Sequence, residues 1–311
     1  MAESSSDTVR PDAGDPRPPS GLVGSSADGH SLVEPSGHDE PPGSEASDEP
    51  SSERPAVIPG PSIWDVLGRG VRAAGRGISS AVQAVDSDVR ADLARAPLLG
   101  LTLLTAKHRP IVALPDDGHR PMILVHGLGG HRGNFSPMRG WFALQGRRRT
   151  YSLGLPEGPL GALGDRLVET LAEVVEVNGL GSEQRIDIVA HSMGGLVARL
   201  ALLDVETTNQ VHTLVTLGTP HSGTHAARFA GSGRARDLRP DSDVLERLSG
   251  QAPWSGPTRL VCLWSKADPL MQPAETARMP GAEHVELPEM THLQYLLDRR
   301  AWREVAAALS S

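Results

Sequence analysis

Cysteine, aromatic side chains and long apolar runs are scarce in this sequence. The 311 residues include one cysteine, and aromatic residues make up only 3% of the chain. A single cysteine excludes a disulfide within the chain and any metal site built from several thiolates. Because Cys262 lies in the apolar run 260–264, the sequence favours a buried core thiol over a reactive one.

Further absences bear on location and partners. The N-terminus has neither the positively charged start nor the apolar stretch of a secretory signal. No apolar run reaches the roughly 20 residues that a membrane-spanning helix needs, so we expect a cytoplasmic protein. No extended basic face is visible, which argues against a nucleic-acid partner. No His-x-x-x-His pair falls on a predicted helix, and the sequence predicts neither a metal nor another cofactor.

The acidity of the chain is concentrated at its start. Residues 1–60 hold 12 acidic and 3 basic side chains, whereas the remaining residues hold 26 and 27. This segment is rich in Pro, Ser and Gly and poor in apolar residues, so we expect a disordered tail. Residues 61–119 carry an apolar helical stripe from Ile63 to Leu93, interrupted by glycines. We expect this extension to pack on the rest of the chain, with peripheral contact with a membrane or lipid surface as the alternative.

The most informative stretch is residues 185–203, in which the apolar period changes at Ser192. Apolar residues alternate up to Ala190 as in a strand, and those after Gly194 recur at helical spacing. A serine on such a strand-to-helix turn presents its hydroxyl beside a helix N-terminus, where developing negative charge is stabilised. Ser192 is therefore predicted to be a nucleophile that attacks a carbonyl group, with a structural turn serine as the alternative.

A second motif is the glycine-rich loop that follows the apolar strand pattern of residues 122–125. It begins with His126 and Gly127 and lacks the lysine and the serine or threonine that a phosphate-binding loop requires. Backbone N–H groups in such a loop can approach a ligand closely, as an oxyanion site needs. We therefore expect His126 and Gly127 to lie at the substrate site.

The alternation of strand and helix patterns after residue 120 predicts a mostly parallel sheet with helices on both faces. Residues 120–311 are thus expected to form one α/β catalytic domain. Within it, the polar residues 225–257 are predicted to be a small cap insertion over a pocket. Before it, the apolar runs 98–104 and 110–114 predict either an edge hairpin or the end of the N-terminal extension.

Ester hydrolysis by a serine needs a base to take the hydroxyl proton and an acid to orient that base. Asp268 follows a late predicted strand, and His292 follows the last one. Because the carboxyl ends of parallel strands meet at one edge of a sheet, we predict a catalytic triad of Ser192, Asp268 and His292. The order serine, acid, histidine is the one expected for such an arrangement.

Other histidines are weaker candidates for the base. His284 falls within the last predicted strand, and His191 is expected to point away from its neighbour Ser192. His221 comes too early in the chain to be the base, but its Gly-Thr-Pro-His loop makes it a predicted wall of the substrate pocket.

Together these motifs resemble the α/β-hydrolase family, in its bacterial lipase and esterase branch. The resemblance covers about residues 120–311 and rests on Asp268, His292 and three short motifs, which are His126-Gly-Leu-Gly-Gly130, Ala190-His-Ser-Met-Gly-Gly195 and Leu217-Gly-Thr-Pro-His-Ser-Gly-Thr224. It implies an α/β-hydrolase fold, and it implies that the backbone N–H groups of Leu128 and Met193 stabilise the oxyanion.

The triad and the resemblance together predict a serine hydrolase that cleaves carboxylic esters, of acyl or lipid type, through an acyl-enzyme. Acyl transfer to an acceptor other than water, or thioester cleavage, would use the same residues. A non-catalytic binding protein built on the same fold is the alternative from a different class.

Overall fold

The computed structural model describes residues 94–105 except 96, residues 110–229 and residues 233–310. The predicted tail and most of the predicted helical extension lie outside these residues. In the described part, residues 97–101 are helical and Thr102–Thr105 form a 3₁₀ turn, while residues 110–117 have no regular secondary structure. The edge hairpin offered as one interpretation of these two apolar runs is therefore wrong.

The described residues form one six-stranded sheet in which every neighbouring pair of strands is parallel. The strands are β1 Met122–Val125, β2 Thr150–Ser152, β3 Ile186–His191, β4 Val211–Leu217, β5 Arg259–Trp264 and β6 Glu283–Glu286. Their order is β2-β1-β3-β4-β5-β6. Continuous apolar strands of this kind are typical of a parallel sheet that is covered on both faces, so the predicted sheet is confirmed.

Helices cover both faces of this sheet. They are α1 Ser136–Leu144, α2 Leu160–Asn178, α3 Met193–Ala201, α4 Val205–Gln210, α5 Gly233–Arg236, α6 Asp243–Ser249, α7 Gln294–Leu297 and α8 Arg299–Leu309. Ile123 and Ile188 face the apolar layer that contains α2 and α3, whereas Leu124 and Val189 face the layer that contains α1 and α8. Successive strand residues thus enter opposite cores, as the two-residue period of a strand requires.

The connections from β1 create the crevice in which the site lies. From β1 the chain goes to β2 on one side and then returns to β3 on the other, so β1 and β3 are adjacent, with Val125 beside Ala190. In open α/β sheets such a reversal of strand order leaves a crevice outside the carboxyl ends of the strands. The loop after β1 and the turn at Ser192 consequently lie side by side.

Within the described residues no helix is long and apolar enough to cross a membrane. The same residues contain no group of three His, Cys, Asp or Glu side chains placed to hold a metal ion.

Candidate active site

Ser192 occupies a strained turn between β3 and α3. Its φ is 55° and its ψ is −128°, a left-handed conformation that is costly for a residue with a side chain. Two hydrogen bonds hold the turn: the Ser192 N–H donates to the Leu217 carbonyl at 2.9 Å, and the Thr219 hydroxyl donates to the Ser192 carbonyl at 2.9 Å. The surrounding structure thus fixes the orientation in which Ser192 presents its side chain.

Glycines allow the neighbouring backbone to approach this turn closely. A Cβ on Gly194 would lie 2.5 Å from the Val125 carbonyl oxygen, and one on Gly195 would lie 2.2 Å from the Thr219 hydroxyl. A Cβ on Gly127 would lie 2.8 Å from the Cβ of Ser192. Gly127, predicted to lie at the substrate site, therefore packs directly against the candidate nucleophile.

Asp268 and His292, predicted from distant parts of the chain, are in direct contact. The His292 Nδ1 lies 2.9 Å from Oδ2 and 3.1 Å from Oδ1 of Asp268, and both side chains are buried. The Leu270 N–H also donates to Asp268 Oδ1 at 3.0 Å, which orients the carboxylate. A carboxylate that accepts from Nδ1–H selects the tautomer in which Nε2 of His292 is the basic atom.

His191 supports His292, although sequence reasoning set it aside. Its ring centroid lies 4.6 Å from that of His292, and its Nε2–H donates to the His292 carbonyl oxygen at 3.0 Å. Burial is the largest cause that lowers the pKa of His191 well below its usual value, so the ring is neutral at physiological pH. Because His191 directly precedes Ser192, this bond ties the base to the turn that carries the candidate nucleophile.

Gly218 is a second residue that sequence reasoning missed. It lies directly after β4 with a φ of 53°, and a Cβ there would lie 2.7 Å from Asp268 Oδ2 and 2.7 Å from Cε2 of Tyr295. The ring of Tyr295 in turn stands at 90° to that of His292, with 6.5 Å between their centroids. Its place in the Leu217–Thr224 motif, directly after a predicted strand, was its signal in the sequence.

His126 shapes the loop that follows β1. Its Nε2 accepts from the Leu155 N–H at 3.3 Å, and its Nδ1–H donates to the Gly127 carbonyl oxygen at 3.0 Å. Burial, the largest cause, lowers the pKa of His126 to about 4, so the ring is neutral. Both ring nitrogens thus have protein partners, and a direct contact of His126 with substrate stays a prediction.

The two residues expected to donate to the oxyanion flank the crevice. Leu128 is half-buried in the loop after β1, and the buried Met193 is the first residue of α3. Helix geometry leaves the N–H groups of a first turn without partners inside the helix. The N-terminus of α3 thus presents donors and a positive dipole end beside Ser192.

A small apolar pocket of about 40 Å³ opens beside Ser192. Leu128, Pro220 and Leu238 are among the residues that line it. The predicted pocket wall His221 instead lies buried, with its Nε2 3.0 Å from the Thr216 hydroxyl and 3.4 Å from the Cys262 sulfur. Its neighbour Pro220 forms the wall, and contact of His221 with substrate stays a prediction.

The remaining rival for the base has another structural partner. The His284 Nε2–H donates to the Met279 carbonyl oxygen at 2.8 Å, within the region of β6.

Comparisons with known proteins agree with this architecture. The family described as "PGAP1-like alpha/beta domain" matches residues 167–231. A triacylglycerol lipase of Burkholderia plantarii is 27% identical over 150 residues, which are 44% of this chain and 40% of the lipase. A triacylglycerol lipase of Pseudarthrobacter phenanthrenivorans is 27% identical over 119 residues, 35% of each chain. The chain thus spans less than half the length of the curated relatives it matches.

Two solved structures share the fold. The mature form of Bacillus licheniformis lipase BlEst2 superposes with a TM-score of 0.54 at 19% identity, covering 64% of this chain and 96% of that one. Aspergillus fumigatus lipase B superposes with a TM-score of 0.55 at 18% identity, covering 85% of this chain and 63% of that one.

Proposed function

We propose that this chain is a lipase or esterase of the α/β-hydrolase family and that it hydrolyses carboxylic esters of the acyl or lipid type, because it shares its fold with two lipases and part of its sequence with two triacylglycerol lipases. The observation that carries this proposal is the buried Asp268–His292 pair, tied through His191 to the strained turn at Ser192. The turn at Ser192 is strained, the tautomer of His292 is fixed, and the N-terminus of α3 lies beside the serine. Together these features are suited to nucleophilic attack on an ester carbonyl.

The proposed reaction passes through an acyl-enzyme. The Ser192 oxygen attacks the carbonyl carbon while Nε2 of His292 takes the hydroxyl proton, and Asp268 stabilises the resulting imidazolium without taking the proton itself. The N–H groups of Leu128 and Met193 stabilise the tetrahedral oxyanion. His292 then gives its proton to the leaving alcohol. In the second half of the reaction, His292 takes a proton from a water molecule that attacks the acyl carbon, and it returns this proton to the Ser192 oxygen as the acid is released.

The electrostatics around His292 support this role. Burial lowers the pKa values of His191, which lies beside His292, and of His126 in the loop after β1, so both rings are uncharged at neutral pH. A positive charge on His191, 4.6 Å from His292, would oppose formation of the imidazolium. With His191 neutral, the carboxylate of Asp268 is the charge closest to the ring.

The decisive experiment compares Ser192→Ala with Ser222→Ala in the full-length chain. Ser222 is an exposed serine in the loop after β4, which makes it a matched control. We expect wild type and Ser222→Ala to react with a fluorophosphonate probe and to turn over p-nitrophenyl esters. Ser192→Ala should not be labelled and should lose activity by a factor of about 10³ or more.

Two results would contradict the proposal. Turnover retained by Ser192→Ala would remove that residue as the nucleophile. Failure of the wild-type chain to react with the probe or with any ester would favour a non-catalytic binding protein on this fold. Faster release of the acyl group to an added alcohol or thiol than to water would instead indicate acyl transfer from the same site.

A further inference from the structure

The pocket beside Ser192 limits the size of the group that can lie there. Its volume of about 40 Å³ is far below the roughly 300–1,000 Å³ of pockets that hold drug-sized ligands. A cavity of roughly 10–15 Å³ is already large enough to hold one water molecule. The pocket therefore has room for only a few non-hydrogen atoms, which corresponds to a short acyl chain.

The position of the pocket identifies it as the acyl side of the site. It is lined by Ser192 and by Leu128, the predicted oxyanion donor, whereas neither Asp268 nor His292 is among the described residues that line it. The leaving alcohol has to receive its proton from His292, so it must lie towards that ring. The acyl chain is consequently directed to the opposite side, into the pocket.

A buried threonine ties two walls of this pocket together. The Thr224 N–H donates to the Leu238 carbonyl oxygen at 2.8 Å, which holds the cap. Its hydroxyl donates to the Leu270 carbonyl oxygen at 2.7 Å and accepts from the Gln272 N–H at 3.0 Å, which holds the segment after β5. Leu238 and Leu270 both line the pocket, so moving them apart would leave buried polar groups unpaired.

The buried side chain of Arg199 makes a second set of contacts with the predicted cap, residues 225–257. Arg199 of α3 is only 2% exposed and donates to the His221 carbonyl at 2.9 Å, the Leu248 carbonyl at 2.8 Å and the Gln251 side chain at 3.0 Å. Burial lowers its pKa to about 10, so it remains charged at neutral pH. Among the described residues no carboxylate pairs with it. Lifting α6 would therefore strip a buried cation of its partners, which is costly.

Resting on the proposed function, we propose that this chain is selective for esters of short acyl chains, of about two to four carbons. The pocket walls set the limit, and Thr224 is a positioning residue that keeps Leu238 and Leu270 from separating, while Arg199 fixes α6.

The test is a profile of kcat/KM for p-nitrophenyl acetate, butyrate and octanoate with the full-length chain. We expect kcat/KM for butyrate to exceed that for octanoate by at least about tenfold. Leu238→Ala removes a pocket wall and should raise the octanoate-to-butyrate ratio by about tenfold, within the range of about 10–200-fold by which pockets discriminate a single methylene.

Leu245→Ala provides the matched control. Leu245 and Leu238 are both 7% exposed and belong to the same apolar layer, but Leu245 does not line the pocket. Both variants should lose similar stability, and only Leu238→Ala should change the ratio. Thr224→Val keeps the volume and removes the hydroxyl, so it should raise the ratio through a lower KM for octanoate.

The outcomes separate the two proposals. A wild-type chain that prefers octanoate, or a ratio that Leu238→Ala and Leu245→Ala change equally, would overturn the short-chain inference while leaving ester hydrolysis intact. A chain without turnover of any of the three esters would overturn ester hydrolysis, and the selectivity would fall with it.

Discussion

Gly218 offers the sharpest test of how the fold positions the acid and the base. Replacing it by alanine introduces a Cβ at a φ of 53°, 2.7 Å from both Asp268 Oδ2 and Tyr295 Cε2. Ordinary contacts of this kind begin at 3.4 Å, so these neighbours must retreat by about 0.7 Å. Because Asp268 bonds to His292, we expect the shift to reach the base.

The control for this substitution is Gly179→Ala. Gly179 ends α2 with a φ of 59°, and a Cβ there would meet no atom within 4 Å. Both variants place a side chain in the left-handed region, which costs about 1–2 kcal/mol. Gly218→Ala adds overpacking of about 1–3 kcal/mol, and its misplaced acid should lower kcat/KM by up to about 10²-fold.

The assay combines urea unfolding with initial rates on p-nitrophenyl butyrate at equal concentrations of folded protein. We expect Gly179→Ala to lose about 1 kcal/mol with unchanged kcat/KM, and Gly218→Ala to lose more stability together with activity. Equal activity in the two variants would refute the reasoning, because Asp268 and Tyr295 would then tolerate displacement without effect on the reaction.

Two further predictions concern stability. His126 has a folded-state pKa of about 4 against 6.5 in the unfolded chain, so below pH 6.5 only the unfolded state binds the proton. Acidification from pH 6.5 to 4 should then cost about 1.4 kcal/mol per pH unit through His126 alone, and the buried His191 and His221 add to the slope of the wild-type chain. Urea unfolding should therefore show a slope smaller by about 1.4 kcal/mol per pH unit in His126→Gln and an unchanged slope in the exposed control His119→Gln. Asp187, buried between Arg147 at 2.6 Å and Arg120 at 3.1 Å, lies towards the amino end of β3, away from the site. Asp187→Asn should therefore lose about 3–5 kcal/mol in urea unfolding with kcat unchanged, and a loss of kcat would contradict this separation of stability from catalysis.

The strands of the sheet could be predicted because their signal is local. The alternation around Ile188 and the helical spacing after Gly194 lie within a few residues of Ser192, so the change of period marks the turn without any knowledge of the fold. For residues 98–104 the same pattern left two interpretations open, because a short apolar run fits a strand and a helix equally well, and only the edge hairpin was wrong. The structure has helical turns there.

The chain order of the candidate nucleophile, acid and base could also be predicted from the sequence. Asp268 and His292 each follow a strand pattern, and parallel strands end at one edge, which indicates a shared location. Their contact at 2.9 Å depends on the paths of two loops that no periodic pattern describes.

The tertiary structure decided how the site is supported and how large it is. The bond of His191 to His292, the space that Gly218 leaves for Asp268 and the anchors formed by Arg199 all join segments far apart in the chain. Each depends on distances between loops and helices that must be right to within a few tenths of an ångström. Close packing of the core sets those distances. The sequence alone predicted which residues would carry the proposed chemistry, because periodicity and strand ends are local properties. The packing of those strands and helices determined the volume beside Ser192, and with it the substrates we expect this chain to accept.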